Sequence, residues 1–193
     1  MQTLTLFLLS FAIATQFASA ATITGSTQGD PTWRRPIVNG NGNGNGNFHT
    51  LSSTGTAVAY DVIHFTVSGS GNYSFQETAA DNWNNYTFLY STSFDPTNQL
   101  TNGVAGNDDN PSIGSSGFTA HLSSAVQYYF VSTGFGNQDF GSFNLSISGP
   151  GSINFASSIL ASSDSATVPE PSTIALGGIG LLVLFLVNRS SAC

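Results

Sequence analysis

From Ala57 to Gly149 the apolar residues recur in period two and in no sustained helical period. Ile63, Phe65 and Val67 fall on one face and Val62, His64 and Thr66 on the other, the pattern of a half-buried strand. Ser70-Gly71-Asn72 turns the chain into Tyr73, Phe75 and Glu77, and Asp81-Asn82 precedes a third strand over Tyr86–Tyr90. Further strands are expected at Gly117–Leu122, Val126–Thr133 and Phe143–Ser148. Short aromatic-rich strands divided by Gly, Asn and Pro turns predict an all-β fold, a single antiparallel β-sandwich of jelly-roll-like form.

Before that stretch, residues 21–56 read as an extended lead-in, with a strict Asn-Gly alternation from Asn39 to Asn47. Glycine's backbone freedom and the lack of apolar side chains make this run a linker or loop. A hairpin turn is the competing reading of any one Asn-Gly pair, but four in tandem cannot all be hairpin turns.

Each end of the chain reads as an address. Leu4 to Ala14 is largely apolar, and Ala18 and Ala20 put small residues at the −3 and −1 positions of a signal-peptidase site. The expectation is a signal helix over residues 1–20, cut after Ala20, although only the amino terminus supplies positive charge before the apolar core; a buried N-terminal helix competes. At the other end Val168-Pro169-Glu170-Pro171-Ser172-Thr173 leads into 14 apolar or glycine residues from Ile174 to Val187, then Arg189. The prolines hold the box extended. The run spans only about 21 Å as helix against a hydrocarbon core of about 30 Å, a marginal transmembrane anchor. Arg189 favours a cytoplasmic end.

That box, the glycines Gly177, Gly178 and Gly180, and the basic terminus resemble the PEP-CTERM sorting signal of Gram-negative bacteria. The resemblance implies an exosortase partner that cuts near Val168, Pro169, Glu170 and Pro171 and releases the body outside the cell. The tail departs from the family in carrying one arginine in place of a cluster. An ordinary C-terminal membrane anchor is the alternative.

Once both addresses are set aside, about 148 residues remain, enough for one core. The division expected is 1–20 signal peptide, 21–56 lead-in, 57–155 sandwich, 156–167 linker and 168–193 sorting signal. The body holds nine Asp or Glu residues against Arg34 and Arg35 and has no lysine, which disfavours nucleic acid, since phosphate binding needs clustered cations. Cys193, the only cysteine, lies in the tail, so the body has neither a disulfide nor a cysteine metal site.

A second resemblance covers Pro31 to Gly151. Pro31-Thr32-Trp33, Gly71-Asn72-Tyr73-Ser74-Phe75, Ser93-Phe94-Asp95-Pro96, Gly106-Asn107-Asp108-Asp109, Tyr128-Tyr129-Phe130-Val131 and Ile147-Ser148-Gly149-Pro150-Gly151 follow one another as in the bacterial pre-peptidase C-terminal domain. The resemblance implies a compact β-sandwich without catalytic activity of its own.

Three constellations bear on chemistry. Asn107-Asp108-Asp109-Asn110 is the densest set of oxygen ligands, and Asp108 and Asp109 are the residues expected to bind Ca²⁺ if any do. The competing role is a turn whose Asx side chains bond the backbone before Pro111. His49, His64 and His121 are too dispersed to suggest zinc, and Gly-x-Ser-x-Gly is missing. Trp83 and Tyr86 are the residues expected to stack on sugar rings, core packing being the alternative. The function expected is that of an exported, non-enzymatic surface or extracellular-matrix protein of the exopolysaccharide or biofilm. A carbohydrate-binding module and a small metal-dependent hydrolase are the alternatives.

Overall fold

The structure, a computed structural model, describes residues 18–38, 44–45, 48 and 50–156. The chain forms β1 (Ser19–Ser26), β2 (Thr32–Trp33), β3 (Pro36–Ile37), β4 (Gly44–Asn45) and β5 (Thr50–Leu51). Then follow β6 (Val58–Val67), β7 (Gly71–Ala79), β8 (Asn85–Ser91) and β9 (Gly103–Asn107). The last are β10 (Ser115–Leu122), β11 (Tyr128–Gly134), β12 (Ser142–Gly149) and β13 (Ile153–Phe155). A single 3₁₀ turn, Ala80–Asn82, joins β7 to β8.

All pairings are antiparallel. One sheet runs β1-β12-β7-β10; the larger runs β13-β6-β11-β8-β9-β4, with β2 also on β6. From β6 to β13 the chain changes sheet at every connection except the β8–β9 hairpin, so the sandwich is closed by crossings between layers in jelly-roll-like manner.

Period two explains the first core. Phe65, Phe75, Leu89, Phe118, Phe130, Leu145 and Ile147 are buried between the sheets. Phe75 lies across from Phe118 in register, ring centroids 5.0 Å apart and stacked, and Phe75 stacks on Phe130 of the other sheet. Fully burying one such side chain contributes about 1.5–3 kcal/mol. Tyr73 is buried with its ring, yet its hydroxyl donates to the Gly69 carbonyl and accepts from the Gly151 N–H. Gly149 allows this: a Cβ there would lie 2.1 Å from the Tyr73 ring.

The opposite residues of the larger sheet, Val58, Tyr86, Phe88, Tyr90 and Val131, face away from this interior and are nevertheless buried. They are covered by Trp33, Val38 and Phe48. Trp33 meets Phe88 and Phe94 edge-on at 5.6 and 5.4 Å, and its indole N–H donates to Thr133 Oγ1. Residues 21–56 are therefore not simply a lead-in to the sandwich. Residues 21–26 belong to an edge strand, and Trp33, Arg35, Val38 and Phe48 cover a sheet face. Single apolar residues scattered through a polar segment carry no period, which is why the sequence does not show them as structure. Of the Asn-Gly run, Gly44 and Asn45 pair with Gly106 and Ala105; its other residues lie outside the described ones, as do residues 1–17 of the expected signal helix and the transmembrane helix. Ser19 and Ala20, expected at the end of the signal helix, are strand and pair with Gly149 and Ser148. No helix among the described residues is long and apolar enough to cross a membrane.

Candidate functional site

The interior between the sheets is divided. Along the strands the apolar layer gives way, at the end where β8 begins, to Asp61, Glu77, Asn85, Thr87, Asn107, Ser116 and Ser132. All but Asp61 are buried. Their phase places them there: Glu77 continues the inward series Tyr73, Phe75, and Ser132 continues Tyr128, Phe130. Glu77 is fully buried and accepts a hydrogen bond from Asn85 Nδ2 at 2.9 Å. Its Oε2, the Asn85 Oδ1 and the Ser132 hydroxyl have no hydrogen-bond partner among the described residues. Burial pushes the Glu77 carboxyl up to about 8, opposed by the Asn85 amide and the nearby Ser132 hydroxyl and assisted by Asp61. Ser116 Oγ lies against the Asn85 and Asp108 carbonyls and shares its one hydrogen between them, tying β10 to this end of the larger sheet.

Beyond the larger sheet, Arg35 is buried with its guanidinium 4.4 Å from the Tyr86 ring centre and 4.8 Å from that of Phe135. Its Nε donates to the Phe135 carbonyl at 2.8 Å and an Nη to the Pro36 carbonyl at 3.0 Å. Burial and then Asp109 push the Asp108 carboxyl up to about 6, with Arg35 opposing and Asp139 assisting. Asp108 and Asp109 are placed differently: Asp108 is half-buried and Asp109 exposed. The flanking asparagines act as turn scaffolding, since Asn107 Oδ1 accepts from the Gly117 N–H and Asn110 Nδ2 donates to the Gly117 carbonyl. Among the described residues no three His, Cys, Asp or Glu side chains converge as a metal site, so the Asp108–Asp109 calcium expectation gains no third carboxylate.

The outer face of the smaller sheet has a different chemistry. Across β1, β12, β7 and β10 its rows read Thr24–Asn144–Thr78–Ser115, Thr22–Ser146–Gln76–Gly117 and Ala20–Ser148–Ser74–Thr119. No Asp, Glu, Lys or Arg stands in these rows, in a chain whose formal charge is −7. Strand and pleat spacing set these side chains about 4.8 Å apart across strands and about 6.8 Å apart along them. A groove of about 510 Å³ runs over Ser74, Gln76, Asn110, Thr119, Ser146 and Ser148.

The two expected sugar contacts are not brought together on a surface. Tyr86 is buried, stacks on Phe88 at 4.7 Å and accepts the Val38 N–H with its hydroxyl, so it is a core residue rather than a stacking platform. The reason is its phase, shared with Phe88 and Tyr90 on the covered face. Trp83 is half-buried beside Gly141, and its indole N–H donates to the Ser142 carbonyl at 2.9 Å. His64 is exposed and packs edge-on against Tyr129, whereas His121 is exposed on β10. Ala18 and Ala20 are exposed, Ala20 across from Ser148 in β1. Val168, Pro169, Glu170 and Pro171 lie outside the described residues. Sequence reasoning missed Glu77, Asn85, Ser132 and Arg35 as a group; the legible signal was an acid in the inward phase of a strand.

Together these features define an all-β, antiparallel sandwich with an uncharged polar sheet face. Residues 167–190 match the family model described as the PEP-CTERM protein-sorting motif. The motif implies export, a C-terminal membrane anchor before processing, and processing by an exosortase. The resemblance of the body to the pre-peptidase C-terminal domain is not supported by the comparisons. No curated protein matched the chain. Among solved structures, a CBM35 from Cellvibrio japonicus Abf62 is similar at 13% identity and a TM-score of 0.33, with 69% of this chain and 96% of that one covered.

Proposed function

We propose that the chain is a non-enzymatic protein of the cell surface or extracellular matrix, cut by signal peptidase after Ala20 and released as a sandwich once the exosortase has acted near Pro169-Glu170-Pro171. Adhesion or packing within an exopolysaccharide or biofilm matrix is its biochemical work. The sorting motif supports the itinerary. The disposition of the acids supports the lack of catalysis. Glu77 is sealed in the interior, Asp95 is occupied by the Thr97 N–H and hydroxyl, and Asp139 accepts the Gly136 N–H. A metal-dependent hydrolase is the weaker reading, and metal-dependent turnover lost in Asp108→Ala would establish it in place of this one.

Carbohydrate binding is favoured by one observation, the uncharged hydroxyl and amide rows of the smaller sheet with their groove. Such a surface offers regularly spaced donors and acceptors to a neutral polysaccharide and nothing to an anionic or cationic one. Affinity electrophoresis through neutral glucan, xylan and mannan tests it. The reading expects retardation in at least one neutral gel, abolished in a Ser74→Glu/Ser146→Glu variant of unchanged Tm. Equal mobility in all three removes carbohydrate binding by this face.

A further inference from the structure

Glu77 stands on β7 of the smaller sheet, while Asn85 and Ser132 stand on β8 and β11 of the larger one. We propose that Glu77 is carried as the neutral acid and that its proton is a structural part of the sandwich, joining the two sheets through Ser132.

A carboxylate only accepts, so with Glu77 ionised the single hydrogen of the Ser132 hydroxyl must serve either Glu77 Oε2 or Asn85 Oδ1, and the other oxygen stays bare in a buried site. A protonated Oε2 becomes a donor aimed at the Ser132 hydroxyl oxygen, and one proton then satisfies two of the three partnerless oxygens. The third follows. Ser132 is opposite Thr87 in the ladder and Gly134 is opposite Asn85, so Asn85 lies on the adjacent strand, two residues along and on the same face. Its Oδ1 is the acceptor left for the hydrogen of Ser132, while its Nδ2 already donates to Glu77 Oε1. The three side chains then close a ring with each oxygen partnered.

No counter-charge faces Glu77 among the described residues. From β6 the facing group is Asp61, another acid. β8, β10 and β11 present Asn85, Thr87, Ser116 and Ser132, and β12 presents Phe143 and Leu145. Arg35 is on the far side of the larger sheet, against Tyr86 and Phe135. A carboxylate buried without a cation is strongly disfavoured, and the proton is the smallest remedy.

The direction of the pH effect follows. The folded state binds this proton more tightly than the unfolded chain, with a midpoint of about 8 against an ordinary 4.5. Its contribution to stability is therefore full below the unfolded value and is lost as pH rises through the folded one. The link between the sheets loosens on the alkaline side.

The test is thermal unfolding of the protein across roughly pH 5 to 9, beside Glu77→Gln, with a carbon-13 NMR titration of the Glu77 carboxyl. The expected result is a wild-type Tm that falls with pH. Glu77→Gln, whose amide can donate to Ser132, should keep its Tm across the alkaline half of the range, where wild type falls, and exceed wild type at its end. The NMR midpoint should lie well above the ordinary glutamate value. A midpoint at or below that value overturns the proposal. So does a Glu77→Gln protein that is destabilised at acid pH while Ca²⁺ raises the wild-type Tm, because the carboxylate would then be serving a metal ion. Should Glu77→Gln not fold, the wild-type titration alone decides.

Discussion

Arg35 shows how one residue can organise a segment that has little else to bury. It stacks between Tyr86 and Phe135 and donates to two backbone carbonyls. Removing it leaves buried carbonyls unpaired, and Arg35→Ala is expected to cost about 2–4 kcal/mol in denaturant unfolding. Arg35→Lys should recover little, since an ammonium cannot stack as a plane and reach both carbonyls. Asp108 nearby adds a second pH dependence. Its folded midpoint is raised to about 6, so its contribution is full below the ordinary aspartate value and disappears as pH rises through 6. Asp108→Asn should remove that lower part of the wild-type slope and leave the part due to Glu77. At this scale the sequence is half legible. Glu77 could be read as an acid in an inward phase, whereas nothing in Arg34-Arg35 says which arginine is buried.

Elements were legible where their own period carried them. β6, β7, β8, β10, β11 and β12 coincide with the strands expected from alternation. β9, with the sequence Gly103-Val104-Ala105-Gly106-Asn107, has no alternation to read, because its glycines pass beneath Phe48 and Val38 where a Cβ would clash. β1 is split in the sequence reading between the signal peptide and the lead-in, and of its inward residues Ala21, Ile23 and Gly25 only Ile23 is large enough to mark a strand face. Gly149→Ala pushes a methyl into the Tyr73 ring and should cost about 1–3 kcal/mol in urea unfolding. Deleting residues through Ser26 bares the β12 edge, and light scattering should then show association that the protein with β1 intact lacks. Cleavage after Ala20 forfeits only the Ser19–Gly149 and Ala20–Ser148 pairs, so amides from Ala21 onward should stay protected in hydrogen exchange.

For the whole molecule, destination was far easier to read than ligand. A sorting motif is read by an enzyme as a linear word, so residues 167–190 declare themselves without a fold. The uncharged polar face is assembled from four strands scattered between Ser19 and Gly149, and serines and threonines at outward positions look like ordinary solvation until the register aligns them. The same logic moved Tyr86 from an expected surface to the core: it is covered by Arg35 and Val38, which belong to a segment with no period. The proposed function requires the sandwich to be exported and separated from its sorting tail. Intact-mass and C-terminal peptide mass spectrometry of membrane and extracellular fractions from the native host test it most directly. The account predicts an extracellular form that begins at Ala21 and ends near Pro169-Glu170-Pro171. A full-length tail ending in Cys193, found only in membranes, would contradict it.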